Sequence, residues 1–100
     1  MNGLICSSGG QAYKINVTDA LTEIVSPSPS YKYIRITNLG ASAVYLGPVN
    51  SDLEAETGIV LEPYGNANDY IEFNNTNMFY CGLVGITASG NSDVAVLIGI

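Results

Sequence analysis

Apolar side chains alternate with polar or small ones in short segments along this chain of 100 residues, and that alternation limits the chain to strands. In SDVAVLIGI, residues 92–100, every second residue from Val94 onward is Val or Ile. A helix would place apolar residues three and four positions apart, and no segment keeps that spacing for three turns. We therefore predict eight strands, bounded by Gly, Pro, Asn, Asp and Ser residues. They cover residues 12–18, 21–26, 32–38, 43–47, 58–62, 69–74, 78–86 and 92–100.

Eight short strands without helices predict an all-β fold, an antiparallel β-sandwich of two packed sheets around one core. A jelly roll is one topology that eight strands allow, and the sequence does not separate it from other sandwich topologies. The β-sandwich domain is predicted over residues 12–100. The Gly-containing segment MNGLICSSGGQ, residues 1–11, is predicted to be a flexible N-terminal arm.

The connections between strands carry turn chemistry. Short links with Gly, Asn and Ser at residues 38–42 and 90–92 predict tight hairpins, so that residues 33–50 would form a two-stranded unit. In SPSPS, residues 26–30, each residue before a proline is kept extended. That segment is predicted to cross between the sheets or to form a surface edge.

The alternation also predicts which side chains face the core, because successive side chains of a strand point to opposite faces of the sheet. Polar or amphipathic residues, such as Lys32, Tyr33, Tyr70 and Glu72, occupy the opposite face of several strands. The predicted core residues are Ile34, Ile36, Val44, Leu46, Ile59, Leu61, Ile71, Phe73, Phe79, Cys81, Leu83, Val94, Val96, Ile98 and Ile100.

The seventh strand differs because it is apolar on both faces. Only one of these faces meets the opposite sheet, so the other needs a cover, either a second subunit or a long loop. The back of the last strand, with Ala95 and Leu97, raises the same question. The candidate partner-interface residues on the strands and the arm are Met78, Tyr80, Val84, Ile86, Leu97, Leu4 and Ile5.

Charge is scarce in this chain, since charged residues make up 12% of it and the formal net charge is -6. Few charges leave much uncharged surface, which favours self-association or stable docking. The negative charge argues against nucleic-acid binding. No apolar run is long enough for a membrane span, and MNGLICSSGG lacks the basic and apolar regions of a secretory signal, so cytosolic synthesis is expected. Cys6 and Cys81 are expected to be free and buried.

No catalytic constellation is recognisable. The chain has no histidine, which removes the usual base of a Ser-His nucleophile pair, and Cys81 lies in an apolar segment that would keep a thiol inert. Glu62, Asp69 and Glu72 do not have a spacing that selects a catalytic carboxylate pair. We therefore expect no enzymatic activity, no catalytic residue and no cofactor.

Two weaker binding hypotheses remain. Asp52, Glu54 and Glu56 alternate along the longest loop and could offer oxygen ligands to a hard cation such as calcium, but they lack the spacing of a helix-loop-helix calcium site, and a solvated loop is favoured. The 7 tyrosines could stack on sugars, although carbohydrate modules rely heavily on Trp, which is absent.

Residues 32–100 resemble small β-sandwich proteins of tailed bacteriophage virions. The likeness rests on a strand ending in RITNLG, the strand AVYLGP, the segment GIVLEPYG, the strand MFYCGLVG and a closing β-branched strand. Proteins of this type have Leu-x-Pro-Gly where this chain has LEPYG, so Tyr64 lengthens that turn.

The resemblance implies a structural virion protein of the head decoration, cement or head-fibre type. It would bind the major capsid protein on the outer head shell after synthesis in the host cytoplasm, form a homotrimer around a threefold point, and bridge capsomers without an active site. The alternative is a receptor- or glycan-binding module of a phage fibre or tail.

Overall fold

The computed structural model describes residues 9–49, 52–74, 77 and 80–100. Within these ranges the chain forms strands and turns, and no helix is present that could cross a membrane. The strands are β1 (Gly10–Val17), β2 (Thr22–Val25), β3 (Tyr33–Asn38), β4 (Val44–Pro48), β5 (Ile59–Leu61), β6 (Tyr70–Phe73), β7 (Leu83–Ile86) and β8 (Ser92–Gly99). The all-β prediction is confirmed, and every predicted strand except the seventh agrees with the structure to within about two residues at each end.

The first four strands pair with the last four in reverse order, as in one long antiparallel hairpin. β1 pairs with β8, β2 with β7, β3 with β6 and β4 with β5, all antiparallel. Further pairing of β3 with β8 and of β4 with β7 closes this hairpin into two sheets. Sheet A has the order β1-β8-β3-β6, and sheet B has the order β2-β7-β4-β5. This arrangement is a jelly roll, the topology that the sequence had left open.

The predicted hairpins are wrong, and the predicted crossing at residues 26–30 is correct. β3 and β4 belong to different sheets, as do β7 and β8, so the links at residues 38–42 and 90–92 cross the sandwich instead of closing hairpins. β3 has no free edge for β4 because β8 and β6 already occupy its two sides. The segment at residues 26–30 likewise connects sheet B to sheet A.

The core lies between the inner faces of the two sheets. Its buried members are Val17, Ile24, Val25, Ile34, Ile36, Val44, Leu46, Leu61, Phe73, Leu83, Val94, Val96 and Ile98. Ile59, Ile71 and Ile100 pack against this cluster while remaining partly exposed. Each full burial of a Leu, Ile or Phe side chain contributes roughly 1.5–3 kcal/mol, so this cluster supplies most of the driving force for folding.

The seventh strand starts later than predicted. The sequence suggested residues 78–86, but β7 starts at Leu83 because Gly82 has a left-handed backbone (φ +81°) that interrupts the extended chain. Tyr80 and Cys81 lie in the turn before it and are exposed. Cys81 is therefore a free thiol but not a core residue. Phe79, Met78 and Cys6 lie outside the described residues, as does most of the predicted arm.

A buried asparagine joins the two sheets at one corner. Asn38, at the end of β3, is fully buried. Its Nδ2 atom donates to three backbone carbonyls, those of Ser42, Leu61 and Glu62, at 2.8, 3.3 and 3.1 Å. Its Oδ1 atom accepts from the Gly40 N–H at 3.0 Å and from the Ser92 hydroxyl at 2.6 Å. This network directs the chain from sheet A into sheet B, which explains why the link is not a hairpin.

Candidate functional site

The outer face of sheet B is apolar across three neighbouring strands. The inward positions of β4 and β7 are Val44, Leu46 and Leu83, so the residues between them point outward. Across the sheet, Tyr45 stands opposite Ile86 of β7 on one side and opposite Val60 of β5 on the other. We use the name apolar face for the set Leu21, Tyr45, Val60, Val84 and Ile86.

The apolar face is accessible to a partner. Val60 is 42% exposed, and Leu21, which directly precedes β2, is 50% exposed. Tyr45, Val84 and Ile86 are half-buried against their neighbours. Scattered exposed apolar side chains are ordinary, but a row that spans adjacent strands is typical of a contact surface.

A charged residue, Glu23, lies at one border of this face. Glu23 of edge strand β2 pairs with Val84, and its carboxylate accepts a hydrogen bond from the Ser26 hydroxyl at 3.0 Å. Beside Val84 on the other side stands Gly47 of β4, which adds no side chain. Tyr45, Val60 and Ile86 thus form an uncharged row with a polar residue at one side, an arrangement that resembles the core and rim of protein interfaces.

The outer face of sheet A has a different chemistry. The Arg35 guanidinium lies 4.4 Å from the centre of the Tyr70 ring, a cation–π contact. The Tyr33 hydroxyl donates to the Glu72 carboxylate beside it. Across β8, a shallow depression of about 500 Å³ has small residues in its lining and Lys14 and Arg35 at its sides. This face is amphipathic, and Arg35 already contacts Tyr70 while Tyr33 contacts Glu72.

The structure separates the predicted interface residues. Val84 and Ile86 lie together on the apolar face, whereas Leu97 lies on the outer face of sheet A, on the opposite side of the sandwich. Tyr80 is 47% exposed in the turn before β7, and its carbonyl accepts from the Ser28 N–H at 3.0 Å. Met78, Leu4 and Ile5 lie outside the described residues.

Three members of the apolar face were missed by the sequence analysis. Tyr45 and Val60 alternate with the predicted core residues of their strands, so the same alternation placed them outward, but only the pairing of β4 with β5 and β7 shows that they join Ile86. Leu21 was placed in a predicted strand, but it was not assigned to either face of the sheet.

The structure gives little support to the cation hypothesis. Among the described residues, no three His, Cys, Asp or Glu side chains come together in a metal-binding group. In the loop, Leu53 is buried, and the Glu54 carbonyl accepts hydrogen bonds from the Thr57 N–H at 3.2 Å and its hydroxyl at 2.6 Å. Asp52, Glu54 and Glu56 are exposed, as expected for a solvated turn.

Three tyrosines have a raised pKa. Burial is the main cause for all of them, and the Glu23 charge adds to it for Tyr13 and Tyr31. For Tyr33, the hydrogen bond to Glu72 and the charge of that carboxylate raise the pKa further, while Arg35 lowers it. The Tyr13 hydroxyl also donates to the Ile24 carbonyl of the opposite sheet at 2.5 Å.

These shifts predict a loss of stability in alkali. A tyrosine whose folded pKa is raised stabilises the folded state fully below the unfolded pKa of about 10, and this contribution is lost as the pH rises through the folded value. We expect the ultraviolet absorbance of tyrosinate to develop at higher pH in the native protein than in urea. Coincident titrations in the two states would contradict the expectation, and Tyr33→Phe should remove part of the native titration that lies above the unfolded one.

Comparisons of the chain with protein-family models, with curated protein sequences and with solved structures find no significant match in any of the three.

Proposed function

We propose that this protein is a structural assembly protein, a head decoration or cement protein of a tailed bacteriophage that binds the outer shell through the apolar face. The observation that carries the proposal is the uncharged row of Tyr45, Val60 and Ile86 across the outside of sheet B. Such a face is stabilised when a protein partner covers it.

The chemistry of the face agrees with docking to a protein. Burying uncharged side chains requires little desolvation of polar groups, whereas a nucleic acid or a charged ligand would need cationic side chains there. Glu23, which carries a negative charge, pairs with Val84 at the border of the face. A standard interface buries about 800 Å² on each partner, which one face of a sandwich of this size can provide.

The assignment to a phage virion rests on a second support, the resemblance of residues 32–100 to small β-sandwich proteins of virions. In this proposal three copies meet around a threefold point of the shell, contact the major capsid protein and bridge adjacent capsomers. The virion surface is then the site of action, and the protein contributes interface area and no chemistry.

Binding to emptied, expanded phage heads tests the proposal. A protein that binds the folded shell raises its melting temperature by mass action, with a stabilisation of about 2.7 kcal/mol per site at a free concentration one hundred times Kd. Differential scanning calorimetry of heads with and without the protein measures this shift. Electron microscopy of the same heads would show whether density appears at threefold points, and heads that neither bind nor shift would argue against the proposal.

A matched pair of lysine substitutions identifies the docking face. Val84→Lys places a charge on the apolar face, and Leu97→Lys places the same charge on the outer face of sheet A. We expect both variants to stay folded, because both side chains point away from the core. Val84→Lys should weaken shell binding by about 30-fold or more, the effect of losing about 2 kcal/mol at a central interface residue. Leu97→Lys should bind like the parent.

Two outcomes of these experiments would argue against the proposed docking face or the proposed function. Equal losses for both lysine variants would mean that the apolar face is not the docking surface. Binding to host cells or to a glycan array, with no effect of the protein on heads, would favour the receptor- or glycan-binding module instead.

A further inference from the structure

Strand β1 is a long open edge of sheet A, and among the usual protections of edge strands it carries one exposed lysine, Lys14. It runs over eight residues, Gly10–Val17, in unbroken register with β8, and it contains no proline. The other three edges are short or irregular: β5 has three residues, β6 has four, and β2 has four with a register shift between Glu23 and Val25. Natural proteins shorten, bulge or cover their edges because an open edge is a template for another strand.

The hydrogen-bond pattern shows which backbone groups of β1 face this open side. The Ile100 N–H donates to the Gly9 carbonyl at 3.0 Å, so these two residues form a hydrogen-bonded pair of the β1–β8 ladder. Hydrogen-bonded and non-hydrogen-bonded pairs alternate along an antiparallel ladder. The odd-numbered residues of β1, such as Tyr13 and Ile15, therefore bond to β8.

The even-numbered residues of β1 point the other way. The N–H and C=O groups of Gly10, Ala12, Lys14 and Asn16 are directed to the open side of the strand. All four of these residues are exposed. No element of the described chain pairs with that side of β1, since the strand is the last in its sheet.

We propose that the open side of β1 pairs antiparallel with β1 of a second copy of this chain, around a twofold axis at Tyr13, so that two sheets A become one continuous sheet. The proposal is independent of the shell-binding function, because β1 lies in the other sheet from the apolar face. It describes a second contact between copies, beside the threefold contact proposed on the shell.

The spacing of the four open residues makes β1 complementary to itself. A twofold axis at Tyr13 sets Ala12 of one copy opposite Lys14 of the other, and Gly10 opposite Asn16, so all four open residues of each copy are engaged. Moving the axis to Lys14 would bring two ammonium groups face to face and leave Gly10 beyond the ladder. Moving the axis further toward the end of β1 would require Thr18 to pair with the second copy, but the Thr18 carbonyl already accepts from the Thr87 N–H at 2.9 Å.

Side-chain size and charge also favour a second copy as the occupant. In the Tyr13 register the longest outward side chain, Lys14, stands opposite the small Ala12, and Asn16 stands opposite Gly10. No like charges stand directly opposite each other in the pair, an arrangement that cross-strand pairing requires. Closed twofold dimers are the commonest assemblies of soluble homo-oligomers, since the same patch serves both partners.

Amide hydrogen exchange by NMR tests the pairing on the unmodified protein. We expect the amides of Gly10, Ala12, Lys14 and Asn16 to exchange at least about tenfold more slowly at about 1 mM than at about 10 µM protein, because they are bonded only in the dimer. The amide of Glu72 is an internal control. It points to the open side of β6, as the Asn38 N–H to Asp69 carbonyl bond shows, and should stay unprotected at both concentrations.

A proline substitution removes one open donor without touching the β1–β8 ladder. Ala12→Pro deletes an N–H that β8 does not use, and proline is tolerated at edge strands. We expect this variant to melt cooperatively and to sediment as a monomer where the parent sediments as a dimer. Ala12→Thr, which keeps the N–H, is the matched control and should remain dimeric.

Four results would overturn the proposal, three of them concerning the pairing itself and the last one its register. The first is unprotected exchange of the four amides up to about 1 mM. The second is protection of equal size at every concentration in a protein that sediments as a monomer, which would mean that the chain itself covers the edge. The third is protection that appears only when heads or another protein are added, which would assign the edge to a different partner. Protection of Ala12 and Lys14 without Gly10 would reject the Tyr13 register.

Discussion

Replacing Asn38 with Asp is expected to lower the free energy of unfolding by about 3–5 kcal/mol, the loss typical of an uncompensated buried charge. The substitution keeps the size of the side chain but removes both N–H donors of the amide. The three carbonyls that now accept from Nδ2, those of Ser42, Leu61 and Glu62, would then face a carboxylate oxygen. Urea denaturation followed by circular dichroism measures the change.

The pH dependence of this variant identifies the charge as the cause. Burial raises the pKa of a carboxyl group, so the folded variant would bind a proton more tightly than the unfolded chain. The deficit caused by the charge should therefore be present at neutral pH and diminish as the pH falls toward the unfolded carboxyl pKa of about 3.9. A deficit that is independent of pH would attribute the loss to the missing donors alone.

An exposed asparagine provides the matched control. Asn68 is exposed in the turn before β6. Asn68→Asp makes the same chemical change in water and should alter stability by no more than about 0.5 kcal/mol. If Asn38→Asp is also tolerated at neutral pH to within that margin, then the corner network does not hold the two sheets together.

Replacing Gly82 with Ala is expected to cost about 2–4 kcal/mol, the second large effect. Gly82 has φ +81°, and a β-carbon there would lie 2.5 Å from the Val25 carbonyl oxygen and 2.9 Å from the Pro27 nitrogen. The left-handed backbone contributes roughly 1 kcal/mol, and the collision with the β2 backbone adds about 1–3 kcal/mol because backbone atoms cannot rotate away.

Gly65 separates these two contributions. It is also left-handed, with φ +96°, but a β-carbon there meets no atom within 4 Å. Gly65→Ala should therefore cost only about 1 kcal/mol, the backbone part alone. Thermal or urea unfolding of the two variants side by side gives the comparison. Equal losses would show that the close approach of Gly82 to β2 does not limit the start of β7.

Much of the local structure was predictable because its cause is local. Alternation along β3 and β8 placed Ile34, Ile36, Val94 and Val96 in the core, and each is buried. The same reasoning failed at Cys81, where apolar neighbours suggested a longer strand. There the glycine that follows adopts a left-handed backbone, which alternation does not report.

The candidate site was predictable in part. Val84 and Ile86 were selected because their strand is apolar on both sides, and they do lie on an outer face. Leu97 met the same criterion but lies on the opposite face of the sandwich, among charged and aromatic neighbours. Membership of one surface depends on which strands are neighbours, and those neighbours are far apart along the chain.

The sequence alone determined that this protein is built from short strands, which of their side chains face inward, and that the chain contains no histidine. Only the tertiary structure decided that β3 and β4 belong to different sheets, with the chain crossing between them after Asn38. It also decided that Tyr45, Val60 and Ile86 form one row and that β1 has an open side. The physical reason is one of range. Alternation and turn propensity act between neighbours in sequence, whereas hydrogen bonding between strands is settled by competition among all edges of the folded chain.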